Sequence, residues 1–420
     1  MKLKLNLILF LLFVTAVASA QFTKNVLFLG NSYTYVNDLP LIISKLAQST
    51  GDNFTYQQST PGGYTLQGHS TNSTSLNLIR QGGWDYVVLQ EQSQKPSFPM
   101  SQVSVEVFPY AAMLSDSIIH YSPCAKPLFF MTWGRKYGDA SNCPNWPPVC
   151  TYNGMDSLLN LRYRMMADSN DAYVSPVGAV WHYIRDNYAS IDLYSSDNSH
   201  PSLAGSYAAA CTFYSLIFRK DPSAISDDYG LSASDALNIR SAAKIIAYDS
   251  LAKWNVGKYV PNAAFSVNQS ANTIQLVNQS QYADSYKWYF GDGDSSTVFE
   301  PSHTYAQYGS YNVLLKATKC QLADTVSQTV NLVYYSIDNN IRVEASIYPN
   351  PVSSELHLEF EKEYQLNEIM LFSMDAKLIR KFDSRKSDNI TLDFNNIESG
   401  VYSLSFKIDS HIFNYRVVKI

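Results

Sequence analysis

Histidine and cysteine are scarce in this sequence, with seven of the first and five of the second among 420 residues. They form no CxxC pair and no Cys/His cluster at zinc-ligand spacing, so no metal site and no cofactor are expected. Excess positive charge is also lacking. Lys and Arg number 31 against 36 Asp and Glu, a formal net charge of −5 that gives no reason to expect nucleic-acid binding. Beyond the first 20 residues no apolar run is long enough to span a bilayer, which needs roughly 20 residues, so no stable transmembrane segment is expected. The composition, 46% hydrophobic and 16% charged, is that of globular protein. The length is too great for one hydrophobic core and predicts two or three domains.

The opening "MKLKLNLILFLLFVTAVASA" has Lys2 and Lys4 ahead of an apolar run from Leu5 to Val14, then small residues before Gln21. This pattern predicts a signal peptide over 1–20 and an exported protein. Export permits disulfides. "CPNWPPVC" sets Cys143 and Cys150 at the ends of a short Pro-rich loop, and they are the expected pair. Cys124 and Cys211 lie among apolar residues and are expected as buried thiols.

From Asn25 to Lys258, brief apolar runs alternate with helical patterns. "NVLFLG" (25–30), "DYVVLQ" (85–90), "PLFFMTW" (127–133) and "AYVSPVG" (172–178) read as buried strands. "LPLIISKLAQS", "VEVFPYAAMLSDSIIHY", "MDSLLNLRYRMMADS" and "PSLAGSYAAACTFYSLIFRK" read as helices, the last with Pro201 suited to the first helical position. The alternation predicts a three-layer α/β/α sandwich around a parallel sheet. From about Pro261 the helical period is lost, and two all-β segments follow. The expected divisions are 21–258, 259–333, a linker at 334–346, and 347–420.

In such a sheet, ligands bind at the carboxyl ends of the strands. The first strand ends in "LGNSYT", which places Ser32 on the turn into a helix, beside backbone N–H groups able to stabilise an oxyanion. "DNSHPS" offers His200 as a base for the Ser32 proton and Asp197, three residues earlier, to hold the imidazole. "TPGGYTLQGHS" carries Gly63, whose N–H can approach a ligand closely. "WDYVVLQEQS" ends a strand in Gln90, with Gln92 on the same face by alternation; either amide could donate to the oxyanion.

Together these stretches, with "MTWGR" (131–135) and "SPVG" (175–178), resemble the SGNH (GDSL-like) hydrolase superfamily, α/β/α esterases with a flavodoxin-like sheet. The resemblance makes Ser32 the nucleophile, His200 the base and Asp197 its partner. It makes Ser32 N–H, Gly63 N–H and the Gln90 side chain the oxyanion hole. Asn31 stands where the family has Asp, and Gln90 replaces the usual third-block Asn. The absence of G-x-S-x-G argues against the α/β-hydrolase fold.

"KWYFGDGDSSTVFEPSHTYAQYGSYNVLLKA" (287–317) resembles a PKD-type β-sandwich, with Trp288 in its core and His303 structural. The close of the chain, with "IYPNP", "SGVYSLSF" and "VVKI", looks like a type IX secretion sorting domain; Tyr402, Leu404, Phe406 and Ile408 alternate as one buried face. The resemblances imply passage through the periplasm and outer membrane of a Gram-negative bacterium, with the type IX machinery as partner. The protein would be secreted or held on the cell surface. The expected activity is hydrolysis of a short acyl ester, with acetyl on a polysaccharide as the first choice. A non-catalytic glycan-binding adhesin and a lipase- or thioesterase-like activity stay open as alternatives.

Overall fold

The computed structural model describes residues 22–333, 343–409 and 411–420. The expected signal peptide lies outside them, as does most of the expected linker. Three separate hydrophobic cores account for the described residues.

The first core surrounds a parallel sheet of β1 (Thr23–Leu29), β2 (Asn53–Ser59), β3 (Tyr86–Leu89), β4 (Lys126–Phe130) and β5 (Tyr173–Ser175), in the order β2-β1-β3-β4-β5. Every residue of β3 and the last four of β1 and β4 are buried, the signature of strands covered on both faces. The helices that cover them are α1 (Ser32–Tyr35), α2 (Leu39–Ser49), α3 (Leu66–Thr71), α4 (Ser73–Gln81), α5 (Met100–Glu106), α6 (Phe108–Tyr121), α7 (Tyr152–Ser169), α8 (Val177–Asn187), α9 (Leu203–Phe218) and α10 (Ala233–Ile246). α9 is buried almost all round, which its run of Ala and aromatic residues allows. Ser202, not Pro201, begins it: the Ser202 hydroxyl caps Gly205 N–H at 3.1 Å, and Pro201 instead bridges Tyr194 ahead of the helix. The strand order reverses between β1 and β3, so their carboxyl ends form the crevice where ligands bind in such sheets.

The second core lies between two antiparallel sheets. One holds β6 (Phe265–Ser270), β7 (Thr273–Asn278) and β10 (Ser302–Thr304); the other holds β8 (Ser285–Tyr289), β9 (Ser295–Ser296), β11 (Gly309–Lys319) and β12 (Leu322–Leu332). Trp288 is fully buried there, and His303 stacks on Phe290 and bonds Asp292 at 2.7 Å. The third core is wrapped by β13 (Ala345–Tyr348), β14 (Glu355–Ser373), β15 (Leu378–Lys381), β16 (Arg385–Asp393), β17 (Gly400–Ile408) and β18 (His411–Lys419), all paired antiparallel. The 19-residue β14 changes partners along its length, and Tyr402, Leu404, Phe406 and Ile408 are all buried.

The disulfides differ in part from expectation. Cys143 pairs with Cys150, and Cys211 is a buried free thiol. Cys124, expected as a buried thiol, is bonded to Cys320. Folding brings together two turns that are 196 residues apart.

Candidate active site

The turn after β1 is built by close contact. A side chain at Gly30 would lie 2.5 Å from Thr34 Oγ1 and 2.8 Å from Gln90 Oε1, so only glycine fits. Asn31 caps α1: its Oδ1 accepts from Tyr33 N–H at 3.1 Å, which leaves Ser32 as the first helical residue. Asn31 Nδ2 donates to Tyr64 C=O at 2.8 Å and fastens the Gly62–Gly63 loop beside this turn.

Gln90 is fully buried at the end of β3, where its amide supports the turn. Its Oε1 accepts from Asn31 N–H at 3.0 Å and from the Thr34 hydroxyl at 2.9 Å. Its Nε2 donates to Asn31 Oδ1 at 2.8 Å and to Glu91 C=O at 2.6 Å. Both amide hydrogens are used, so the expectation of Gln90 as an oxyanion donor is corrected. Gln92 serves its own turn through Ser93, Gln94 and Lys95 and is no replacement. By contrast, Ser32 N–H and Gly63 N–H have no hydrogen-bond partner among the described residues. Gly63 holds φ of +69°, a backbone region that favours glycine.

The 195–200 loop carries the other two residues. Ser195 N–H donates to His200 C=O at 2.8 Å, and Asn198 takes a positive φ of 60°. Asp197 Oδ1 accepts from the Ser195 hydroxyl at 2.8 Å, Ser199 N–H at 3.0 Å and His200 N–H at 2.9 Å. Its Oδ2 lies 2.5 Å from His200 Nδ1, and His200 Nε2 lies 2.8 Å from Ser32 Oγ. Partial burial raises the Asp197 pKa, but the bonds from His200, Ser195 and the two N–H groups outweigh it and hold the carboxyl well below the usual range. A carboxylate at Nδ1 fixes the proton there and leaves Nε2 to accept from the serine hydroxyl.

An aromatic stack backs this loop. Tyr33 lies parallel to Trp133 at 4.7 Å, and Trp133 lies parallel to Trp181 at 3.7 Å. Trp133 Nε1 donates to Ser199 C=O at 3.0 Å, Tyr33 Oη meets Ser199 Oγ at 2.6 Å, and Lys136 N–H donates to Asn198 C=O at 2.9 Å. Rings held in planes, with the polar edges of Tyr33 and Trp133 bonded to the loop, leave it little freedom.

Two supporting residues were not singled out in the sequence, although each adjoins a stretch that was. His69 is fully buried, with Nε2 2.9 Å from Gly30 C=O and Nδ1 2.8 Å from Ser75 Oγ. Burial lowers its pKa to about 4, against a weaker opposing pull from the Gly30 carbonyl. It is therefore neutral, and because a carbonyl only accepts, Nε2 carries the proton. Glu91, also fully buried, accepts from Leu66 N–H at 3.2 Å and from Gln92 N–H at 2.6 Å. Burial raises its pKa to about 7. His69 and Glu91 thus tie the segment that follows the Gly63 loop to the ends of β1 and β3.

Residues 260–333 match the family model of the PKD domain, and residues 346–419 match that of the secretion system C-terminal sorting domain. The solved structures that resemble the chain include a DUF4886 family protein from Bacteroides uniformis, 15% identical with a TM-score of 0.46 over 55% of this chain and 95% of that one. Another is a proposed SGNH hydrolase from Slackia heliotrinireducens, 24% identical with a TM-score of 0.38 over 46% of this chain and 97% of that one. A third is the lipase/acylhydrolase from Enterococcus faecalis, 12% identical with a TM-score of 0.35 over 47% of this chain and 98% of that one. No curated protein matches the chain. The layered architecture expected from the sequence holds: an α/β domain around a parallel five-stranded sheet, then a PKD domain and a sorting domain that marks a secreted or cell-surface protein.

Proposed function

We propose that this protein is an exported serine esterase. The observation that carries the reading is the continuous contact from Ser32 Oγ through His200 to Asp197, at 2.8 Å and 2.5 Å. Ser32 Oγ attacks the ester carbonyl while His200 Nε2 takes its proton, and Asp197 stabilises the imidazolium that forms. Ser32 N–H and Gly63 N–H receive the oxyanion. His200 then returns the proton to the leaving alcohol, and water repeats the sequence on the acyl-enzyme.

The substrate we infer is a short acyl ester, with acetyl on a polysaccharide as the first choice. His200 and Asp197 are about one-third and one-half exposed, and Tyr35, three residues after Ser32, is exposed, which suits a bulky alcohol. We place the acting enzyme outside the outer membrane, reached through the periplasm and the type IX machinery. The test compares wild type with Ser32→Ala on p-nitrophenyl acetate and a long-chain analogue. Hydrolysis by wild type alone, faster on acetate, supports the reading. Equal rates in the two proteins would sink it.

A further inference from the structure

The Cys124–Cys320 bond joins the α/β domain to the PKD domain. Cys124 follows α6 on the way into β4, and Cys320 sits on the hairpin between β11 and β12. Between the same elements lies a cavity of about 470 Å³. Its walls come from both domains, with Lys126 at the start of β4, Asp116 on α6, Asp171 just ahead of β5, and Tyr282 and Lys319 from the PKD side. Tyr259 closes the seam, its ring meeting Tyr282 edge to face at 5.4 Å. The residues of the parallel sheet here lie at or just ahead of the amino ends of β4 and β5, whereas Ser32 follows the carboxyl end of β1. At ~3.3 Å per residue, the five residues of β4 alone keep this cavity on the order of 15 Å or more from the Ser32 edge.

Two lysines and two aspartates line the cavity, and neither lysine is ion-paired among the described residues. The ammonium of half-buried Lys126 has one hydrogen bond, a long 3.4 Å contact to Tyr259 C=O. The Lys319 ammonium has neither a hydrogen bond nor an ion pair among the described residues. Asp116 and Asp171 line the same space, yet neither reaches ion-pair distance of a lysine. Burial, with the charges of Lys319 and Arg219, lowers the Lys126 pKa, and Asp171 opposes this weakly. An anionic group seated between the ammonium groups would relieve that repulsion. The carboxylates could accept hydroxyls from the same molecule, and the tyrosine pair offers a ring against which a sugar can pack.

We propose that this interdomain cleft binds an acidic sugar, a carboxylate- or sulfate-bearing residue of a polysaccharide. Its distance from Ser32 makes it an anchor and not part of the reacting site. A polymer held there would present its other residues to Ser32 at raised effective concentration. The disulfide keeps the two walls in register. Binding at the cleft does not depend on the esterase reading; only the presentation of residues to Ser32 rests on it.

The test is calorimetric titration of the full chain with three oligosaccharides of equal length, one uronic-acid-bearing, one sulfated and one neutral. Binding of an acidic probe that weakens at least tenfold in Lys126→Ala/Lys319→Ala, with p-nitrophenyl acetate hydrolysis unchanged, supports the anchor. Which acidic probe binds identifies the anion. Lys319→Glu, a change in a half-exposed residue of β11, serves if the double variant fails to fold, and should show the same loss. Binding unaffected by Ser32→Ala separates this site from the catalytic one. Equal affinity for neutral and acidic probes, no binding of any probe, or full affinity in the lysine variants would overturn it.

Discussion

Gln90 grips Asn31 from both ends of its amide. Its oxygen accepts from Asn31 N–H at 3.0 Å while its nitrogen donates to Asn31 Oδ1 at 2.8 Å. Asn31 in turn caps the helix that begins with Ser32. Gln90→Ala should therefore act on stability and activity together. It strands buried donors and acceptors on Asn31 and Thr34 and leaves a cavity, at a cost of about 2–4 kcal/mol. It also frees the turn that aims Ser32. Urea unfolding and esterase assays on the same variant check this. A fall in kcat with unchanged stability would instead restore Gln90 as a direct oxyanion donor.

Asp197 is held by bonds from three groups besides the His200 ring. Asp197→Asn keeps the shape but offers His200 Nδ1 a donor or a weaker acceptor, which no longer fixes the tautomer. The expected loss in kcat is on the order of 10³-fold or more. KM should change little, since Asp197 touches no substrate atom in the proposed mechanism. A variant within threefold of wild type would show that Asp197 has no such role.

The strands legible in the sequence were β1, β3, β4 and β5, because strands buried on both faces read as unbroken apolar runs. β2 was missed. At the sheet edge only Phe54 and Ser59 are buried, and Tyr56, Gln57 and Gln58 give no alternating signal. Ser32 was singled out by its strand end and His200 with Asp197 by residue type and spacing, and folding brings the three within hydrogen-bond reach. Gln90 was misread because alternation fixes the face of a side chain but not what meets it there. The missing Cβ of Gly30, which lets the amide fold onto the turn, is a contact 60 residues away in sequence. The partner of Cys124 was hidden for the same reason.

His69 predicts an acid limb in stability. Its folded pKa is about 4 against an ordinary 6.5, so the unfolded chain binds the proton more readily. The contribution is fully present above pH 6.5 and is lost as pH falls from 6.5 towards 4. Its full size is about 3 kcal/mol. Urea unfolding across this range should show wild type losing stability more steeply than His69→Gln. Identical pH slopes would remove His69 as the cause.

The two disulfides should contribute unequally. In the chain-entropy picture a cross-link stabilises by restricting the unfolded chain, and more so for a longer loop. The Cys124–Cys320 bond closes a separation of 196 residues and Cys143–Cys150 one of 7. The same relation gives about 5 kcal/mol for the first and about 2 kcal/mol for the second. Cys124→Ser/Cys320→Ser should therefore lower the unfolding midpoint more than Cys143→Ser/Cys150→Ser. It should also turn a joint transition of the α/β and PKD domains into two, since these cores are then no longer tied by a bond. Scanning calorimetry of both variants decides the matter. A single unchanged transition in Cys124→Ser/Cys320→Ser would mean that the noncovalent contacts around Tyr259 and Tyr282 suffice to couple the domains.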